Sequence, residues 1–484
     1  KTTRIASLFV PVRINGDVAF FKGVMRLMLE EHERGGRALD AEFIAKRTEG
    51  FEAFAADVRA ESWEAIVEQS GVSREKIAEA AAVAMRSERM ILCWAMGITQ
   101  HANAVGNVQT LANFALLRGH VGRPGAGLCP VRGHSNVQGD RTMGICERMP
   151  AWFMDKLREE FGFEPPRSGG LDAVESIRAM HDGRVRVFFG MGGNFLSASP
   201  DTAFTAEAMR KCSLTVQVST KLNRGHLVTG RRALILPCLG RTEHDRQASG
   251  DQFVSVEDSM GKVHASRGLL EPASEHLLSE VAIVCRLARA VFGEGSGIEW
   301  DGFEANYDTI RERIGRIVPG FEGYNRRIRE AGGFYVPNGA REGRFTTPTG
   351  RARFVVHPIP RWSLAEGQLL LMTIRTHDQF NTTVYDEDDR YRGVLGGRRV
   401  IFMCSEDMAV RGLRAGDRVD ITSHHGGALR HARGFTVVEY EIPRGCAGAY
   451  FPETNVLVPV DHVAAVSNQP ASKSIVITVA RSAS

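Results

Sequence analysis

Two short stretches of this chain set glycine beside side chains that bind anions and read heteroaromatic edges. One is RGHSNVQGDRTM, from Arg132 to Met143, preceded by GRPGAGLCPV. The other, about thirty residues upstream, is WAMGITQ, from Trp94 to Gln100, at the end of an apolar run. Glycine lets a backbone approach a large ligand closely, and a guanidinium beside it can meet an anion with two parallel hydrogen bonds. Together they point to a large polar ligand buried between elements.

Further along, Gly190-Met191-Gly192-Gly193-Asn194 follows an apolar run and reads either as a dinucleotide-type turn or as a plain strand-to-helix turn. The acidic residue that a nicotinamide ribose requires at the end of the next strand is replaced by Gln217, which weighs against an ordinary NAD dehydrogenase. Gln217 to Asn223 mixes donors and acceptors, as a nucleotide contact or as a capped loop. The loop His377-Asp378-Gln379-Phe380-Asn381-Thr382, just after Arg375, is dense in edge-reading side chains or simply solvated. Tyr450-Phe451-Pro452-Glu453-Thr454-Asn455 is a rigid loop offering Asn455, or a plain turn. His424, His425 and His431 sit in a glycine-rich hairpin without a supporting carboxylate, so they read as a solvated hairpin and no metal ligands are assigned.

The elements that must hold these groups follow from apolar spacing. Helices are expected at Phe20 to His32, Ser62 to Glu68, Ser73 to Met85 (Ser73 as N-cap) and Asn107 to Leu117, with a short buried strand at Arg89 to Trp94. A second α/β pattern has strands at Val185–Phe189, Leu214–Val218 and Ala233–Pro237, a helix at Asp201–Lys211, and covering helices at Leu277–Val291 and Ala305–Ile314. Residues 318–350, rich in Gly, Pro and Arg, read as a linker. Beyond them come short β-type runs at 353–357, 369–373, 399–403, 418–422, 434–439 and 474–479, a spacing that predicts a small barrel. The expected domains are 1–134, 135–345 and 346–484.

Bulk properties narrow the class. At 484 residues, 43% hydrophobic and 24% charged, the chain has the composition of a multidomain globular protein. A net charge of +4, without a basic tail, gives no support for nucleic-acid binding. No run approaches the ~20 apolar residues of a membrane span. The eight cysteines have no metal-binding spacing, which suits a reducing, cytoplasmic setting. The chain starts at Lys1 without a signal-peptide pattern, and an upstream part is expected to precede it.

The order of these segments resembles the molybdopterin-dependent oxidoreductases, nearest to formate dehydrogenase alpha subunits and the YdeP-type group. The resemblance is carried by FIAKRTEGFEAF (43–54), WAMGITQ (94–100), PVRGHSNVQGDRTMGI (130–145), ILPCLGRTEHD (235–245), FTTPTGRARF (345–354), TIRTHDQFNT (373–382), SEDMAVRGLRAGDRV (405–419) and YFPETNVLVP (450–459), and it spans essentially the whole chain. It implies an α/β fold of two Rossmann-like open-sheet domains and a double-psi-type β-barrel. It also implies two molybdopterin guanine dinucleotides chelating one molybdenum or tungsten. A [4Fe-4S] cluster and the metal's protein ligand are expected on the upstream part, so this chain alone is expected to be inactive.

By position, the resemblance makes Met96, Gly97 and Gln100 contacts to one pterin dinucleotide. Gly190, Gly192, Asn194, Gln217, Ser219 and Lys221 become contacts to the guanine nucleotide of the second domain. Arg375, His377, Gln379, Asn381, Thr382, Tyr450 and Asn455 become the barrel's cap over both pterins. Arg132 falls where formate dehydrogenases hold the substrate carboxylate, and His134 replaces their usual Gln, which leaves another small oxyanion as an alternative to formate. The implied partners are that oxyanion, the upstream segment and an electron-transfer subunit. The alternative from another class is a metal-free scaffold of the same fold.

Overall fold

A computed structural model describes residues 5–483 except Thr383 and Tyr385, with Glu294 described in its backbone alone. The chain forms two compact units. The first comprises residues 1–129, 194–205 and 339–484, and the second 130–193 and 206–338. The segments expected as the first and third domains thus share one unit, with their boundaries moved by a few residues.

In the first unit the expected helices form, Ser73 as the expected cap of one of them. Helix Asp17–Glu33 buries Val24, Met25, Met28 and Leu29, the i, i+1, i+4, i+5 set of one helical face. Ser62 and Ser73 cap the helices Trp63–Ser70 and Arg74–Arg86 by accepting from Ala65 N (3.1 Å) and Lys76 N (3.3 Å). These helices and Ala104–Leu117 enclose one apolar core, which also takes Ala352, Phe354 and Ile359 from the far end of the chain. Thr48 and Glu49 pair in parallel with Ala352 and Arg353, and Phe54 stacks on Phe354 at 4.9 Å between ring centres. Of the strand expected at 353–357 only Arg353 is extended, as the end of the two-residue strand Ala352–Arg353.

The barrel closes with six strands in the order Leu369–Ile374, Cys446–Tyr450, Val400–Met403, Ala428–Glu439, Arg418–His425 and Ile475–Arg481. Two of its pairings are parallel, Leu370 with Cys446 and Val400 with Thr436, so the chain must cross over instead of returning by hairpins. Leu369, Leu371, Ile401, Met403, Val419, Ile421, Phe435, Val437, Ala449 and Ile477 fill the interior. The strand Cys446–Tyr450 carries no sequence signal of its own. Its residues CAGAY are small until the last, yet all five are buried.

In the second unit Leu214–Ser219 lies between Val187–Met191 and Arg232–Pro237, all parallel. Helix Thr202–Lys211 connects the first two strands in sequence, the expected βαβ order. Helices Glu280–Phe292 and Tyr307–Ile317 form close to their expected places.

Two expectations are corrected. The strand expected at Arg89–Trp94 forms as Ile91–Trp94, paired with Gly127–Pro130, but it is not buried: Ile91 is 54% exposed. Strands Val187–Met191 and Arg232–Pro237 likewise leave Val187, Phe189, Leu234 and Ile235 open. Apolar alternation reports which face seeks cover, and no described residue supplies it here. The linker expected over 318–350 is also wrong for its first half. Phe321, Tyr324, Ile328 and Phe334 are buried in one aromatic cluster, and Phe334–Tyr335 adds a strand to the hairpin Val254–Glu257/Lys262–Ser266. Its arginines misled because they stack on this cluster: the Arg327 guanidinium lies 3.9 Å from the Phe334 ring centre.

Among the described residues no helix is long and apolar enough to cross a membrane. Because Phe354 brings the distal segment into the first core, Phe354→Ala should destabilise that unit by about 3–5 kcal/mol in urea unfolding. A change under ~1 kcal/mol would show that the distal segment is not integral to the core.

Candidate functional site

Within the first unit, four of the expected contact residues converge. The short helix Met96–Thr99 follows the strand Ile91–Trp94 and ends at Gln100. Gln100 is anchored from the C-terminal part of the chain: Lys473 N donates to its carbonyl (3.0 Å) and Ser472 Oγ to its Oε1 (3.0 Å). The barrel strand Leu369–Ile374 delivers Thr373 and then Arg375. Asn455 opens a single 3₁₀ turn after Cys446–Tyr450, and its Nδ2 donates to Ser197 O at 2.6 Å. Met96, Gln100, Thr373, Arg375, Phe451, Asn455, Gln469, Ser472 and Lys473 line one cleft of about 90 Å³. That volume suits a ring or a phosphate, a part of a dinucleotide rather than the whole.

The cleft is electrostatically one-sided. Lys473 Nζ turns inward, donating to Thr373 O and, at 3.1 Å, to Thr373 Oγ1. Burial, with the charge of Arg375 added, pushes the Lys473 ammonium down to about 7. Burial also lowers Arg375, whose guanidinium sits 5.4 Å from the Phe451 ring centre and reaches Asn381 Oδ1 at 3.5 Å. Among the described residues no carboxylate pairs with either cation. His101, fully buried behind the turn with Nε2 2.7 Å from Gly97 O, is pushed to about 4, chiefly by burial, and is neutral. Gly97 itself has open space where a Cβ would stand.

The loop 375–382 is held from beneath by Arg398. This nearly buried guanidinium donates to Glu453 Oε1 (2.7 Å), Phe451 O (2.7 Å), Gln379 Oε1 (3.0 Å), Thr376 Oγ1 (3.3 Å) and Asp386 O (3.3 Å). Gln379 also donates to Asn381 O and Phe451 O, at 2.6 and 2.9 Å. Gln379 is therefore a strut of the loop. Asn381 takes a left-handed φ of 49°, and Thr382 is buried. Tyr450 is fully buried, its hydroxyl donating to Asp389 Oδ2 at 2.9 Å, while His377 Nδ1 lies 3.0 Å from Oδ1 of the same carboxylate. His377, Gln379, Asn381, Thr382 and Tyr450 do not line the cleft.

The remaining expected residues are placed elsewhere. Asn194, in the first unit, caps the turn Phe195–Ala198 by accepting from Ser197 N at 3.4 Å. In the second unit Gly190 pairs with Gln217 across the parallel strands, and a Cβ on Gly190 would come 3.1 Å from Gln217 Oε1. Gly192 has a φ of 70°, which favours glycine. Ser219 Oγ donates to Lys221 O at 2.7 Å in a tight turn at the carboxyl end of the central strand, leaving Lys221 exposed. Arg132 is exposed; its Nε and Nη2 donate to Gln138 Oε1 at 3.2 and 3.0 Å, and its backbone N donates to Ser259 Oγ. Because Gln138 is uncharged, the Arg132 charge is not neutralised by this contact. His134 is half-buried in the same loop.

Sequence reading missed Lys473, Gln469, Ser472 and Arg398. The available signal was QPASK, a lysine set among small residues directly before the strand Ile475–Arg481, where a solvated turn was the easier reading.

The fold and cleft define a mixed α/β protein with a closed six-stranded barrel and a cleft lined by two cations, Arg375 and Lys473. Residues 369–476, which include all of the barrel but most of its last strand, match the molydopterin dinucleotide binding domain. An uncharacterized oxidoreductase of Mycobacterium tuberculosis is 52% identical over 480 residues, covering 98% of this chain and 62% of that protein. Protein YdeP of Escherichia coli is 43% identical over 484 residues, covering 98% and 64%. Formate dehydrogenase H of E. coli is 28% identical over 255 residues, 51% of this chain and 34% of that one. Acetylene hydratase from Pelobacter acetylenicus shares the fold, with a TM-score of 0.69 at 15% identity over 100% of this chain and 72% of that one. The chain thus resembles the molybdopterin oxidoreductases of the YdeP and formate dehydrogenase group, a likeness supported by the dinucleotide-binding domain and by these relatives. It spans less than two thirds of the length of the first two of these relatives.

Two outcomes follow. A lysine lowered on folding binds fewer protons than in the unfolded chain between pH 7 and its ordinary value near 10.5, so its contribution to stability rises with pH across that window. The stability of the chain relative to Lys473→Met should therefore increase from pH 7 to pH 10, by roughly 1–3 kcal/mol after solvent screening, in denaturant titrations. A pH-independent difference would show that Lys473 is not depressed. Arg398→Ala leaves the Glu453 carboxylate without its partner and should cost about 3–5 kcal/mol by the same measurement.

Proposed function

We propose that this chain is the larger part of the catalytic subunit of a molybdenum or tungsten bis-molybdopterin guanine dinucleotide oxidoreductase, acting on formate or another small oxyanion. The observation that carries this reading is the cleft itself: two half-buried cations, Arg375 and Lys473, line a space beside Met96 and Gln100 with no carboxylate among the described residues to balance them. Buried positive charge of this kind is stabilised by a resident anion.

The residues fit such a group. Arg375 and Lys473 would balance its negative charge, and a lysine poised near 7 gains its proton as an anion settles against it. Gln100 and Asn455 supply amide edges, and the space at Gly97 admits a ring close to the backbone. At the second unit's sheet, Gly190, Gly192, Gln217, Ser219 and Lys221 would receive the guanine nucleotide at the carboxyl ends of parallel strands. His377, Asn381 and Thr382 would complete the cap, with Gln379 and Tyr450 supporting it, and Asn194 and Met96 would border the dinucleotides.

When bound, the metal–pterin group supplies the two-electron redox chemistry, and the protein's share is binding and orientation. Arg132 exchanges Gln138 for the substrate's carboxylate, a neutral acceptor for a charged one, and fixes its direction. His134 stands where it adds hydrogen bonding or charge to that anion. A [4Fe-4S] cluster on a further segment would accept the electrons, and an electron-transfer subunit in the cytoplasm would be their onward partner. A further segment of the polypeptide is the partner proposed for the open apolar faces at Ile91, Val187 and Phe189, in keeping with the greater length of the relatives.

The test is metal and pterin analysis of the protein purified from cells that make the cofactor. Molybdenum or tungsten by mass spectrometry, together with fluorescent oxidised pterin and guanine nucleotide released on denaturation, is expected. Arg375→Ala combined with Lys473→Ala should lower that content by at least about tenfold. Absence of both metals and of released pterin from the unaltered protein would refute the reading.

A further inference from the structure

Among the described residues five cysteines are buried, Cys129 and Cys146 are half-buried, and Cys93 alone is exposed. Cys93 lies in the strand Ile91–Trp94 and Cys129 in the strand Gly127–Pro130, which pair as a two-stranded sheet within the first unit. Gly127 N donates to Met90 O at 3.0 Å, and this bond sets the register. It joins the start of one four-residue strand to the residue just before the other, so the two overlap only if they run the same way. Ile91 then stands beside Gly127, and two residues further on Cys93 stands beside Cys129.

Directly opposed residues point to the same face of a sheet. Paired strands lie about 4.8 Å apart, inside the roughly 4.4–6.8 Å between Cα atoms that a disulfide spans. The side chains meet as this register requires, because the two thiols are hydrogen-bonded to each other. Leu92 points the other way, packs against the apolar core and fixes the first strand, while Ile91 and Cys93 share the face left open. Burial, with Cys93 beside it, pushes the Cys129 thiol up, so it keeps its proton at neutral pH. An exposed sulfur beside a protonated, half-buried one has the layout of a reactive thiol and its resolving partner.

We propose that Cys93 and Cys129 form a redox-modification site, at which hydrogen peroxide converts the opposed thiols into a disulfide and a dithiol reductant restores them. Cys93, as thiolate, attacks one peroxide oxygen; the O–O bond breaks, and the departing hydroxide takes up the proton that Cys93 released. The products are water and a sulfenic acid on Cys93. The Cys129 sulfur then attacks the Cys93 sulfur, the S–O bond breaks, and the leaving hydroxide takes the Cys129 proton as a second water. The thiols together lose two electrons and two protons, and the peroxide is reduced to two waters. A reversible disulfide is the kind that a reducing compartment permits, where disulfides are transient. The site is independent of the cofactor reading above and is assigned to the chain with the Ile91 face open.

The test exposes the whole chain to equimolar hydrogen peroxide, alkylates the remaining thiols after denaturation, and maps them by mass spectrometry. The chain should lose two of its eight thiols, with one linked peptide pair joining Cys93 to Cys129, and dithiothreitol should restore all eight. In Cys129→Ser the resolving thiol is gone, so Cys93 should accumulate as a sulfenic acid captured by dimedone. Absence of that adduct in a folded variant would overturn Cys93 as the sulfur oxidised first. Retention of all eight thiols, or a disulfide from Cys93 to any other cysteine or to a second chain, would overturn the site itself. Oxidation of Cys93 to a sulfinic acid beside a free Cys129 would do the same, because an opposed thiol resolves the sulfenic acid first. The linkage map of the unaltered chain decides the pairing even where a variant fails to fold.

Discussion

The cap loop depends on one buried guanidinium. Arg398 has five N–H donors in a rigid plane, and here they connect the 375–382 loop, the Asp386 carbonyl and the 451–453 turn. Burying a full charge is unfavourable by itself, and only Glu453 and this complete set of acceptors make it tolerable. The consequence is geometric. Arg375 and Asn455 stand at the ends of the two barrel strands that Arg398 ties, so the cleft between them is held open by structure instead of by its own contents.

The cleft shows the opposite economy of charge. Arg398 is satisfied from every side, whereas Arg375 and Lys473 are not, although they stand close by along the same strand system. The fold thus surrounds one arginine with a carboxylate and a full set of acceptors, and gives two nearby cations only neutral acceptors among the described residues. His101, neutral behind the turn, adds no third positive charge to that space.

Much of this was legible in the sequence, and the remainder was hidden for identifiable reasons. Ser62 and Ser73 marked helix starts because their side-chain oxygens accept from backbone N–H groups three residues on, a local interaction. The parallel strands of the second unit were visible as apolar runs with glycine turns. Met96, Gln100, Arg375 and Asn455 were gathered by resemblance, and the structure brings these four to one cleft. Lys473 and Arg398 escaped because their surroundings are made of residues distant in sequence, such as Thr373 and Glu453. The segment 318–350 reads as a linker because its arginines look solvated, while in its first half Arg329 and Arg327 cover Phe253 and Phe334. The strand Cys446–Tyr450 is pure tertiary context: nothing in CAGAY asks to be extended until Leu369–Ile374 and Val400–Met403 flank it.

The pairing of Thr48 with Ala352 has a consequence for biogenesis. The first unit's core, with Phe54 stacked on Phe354, cannot close until roughly three hundred further residues have left the ribosome. The early helices must wait as nascent chain with an open apolar face. Meanwhile most of the second unit, which is contiguous from 206 to 338, has already been made. Synthesis of this protein thus contains a long interval in which the segment around Phe54 waits for its distal partner, and its dependence on chaperones should be greatest there.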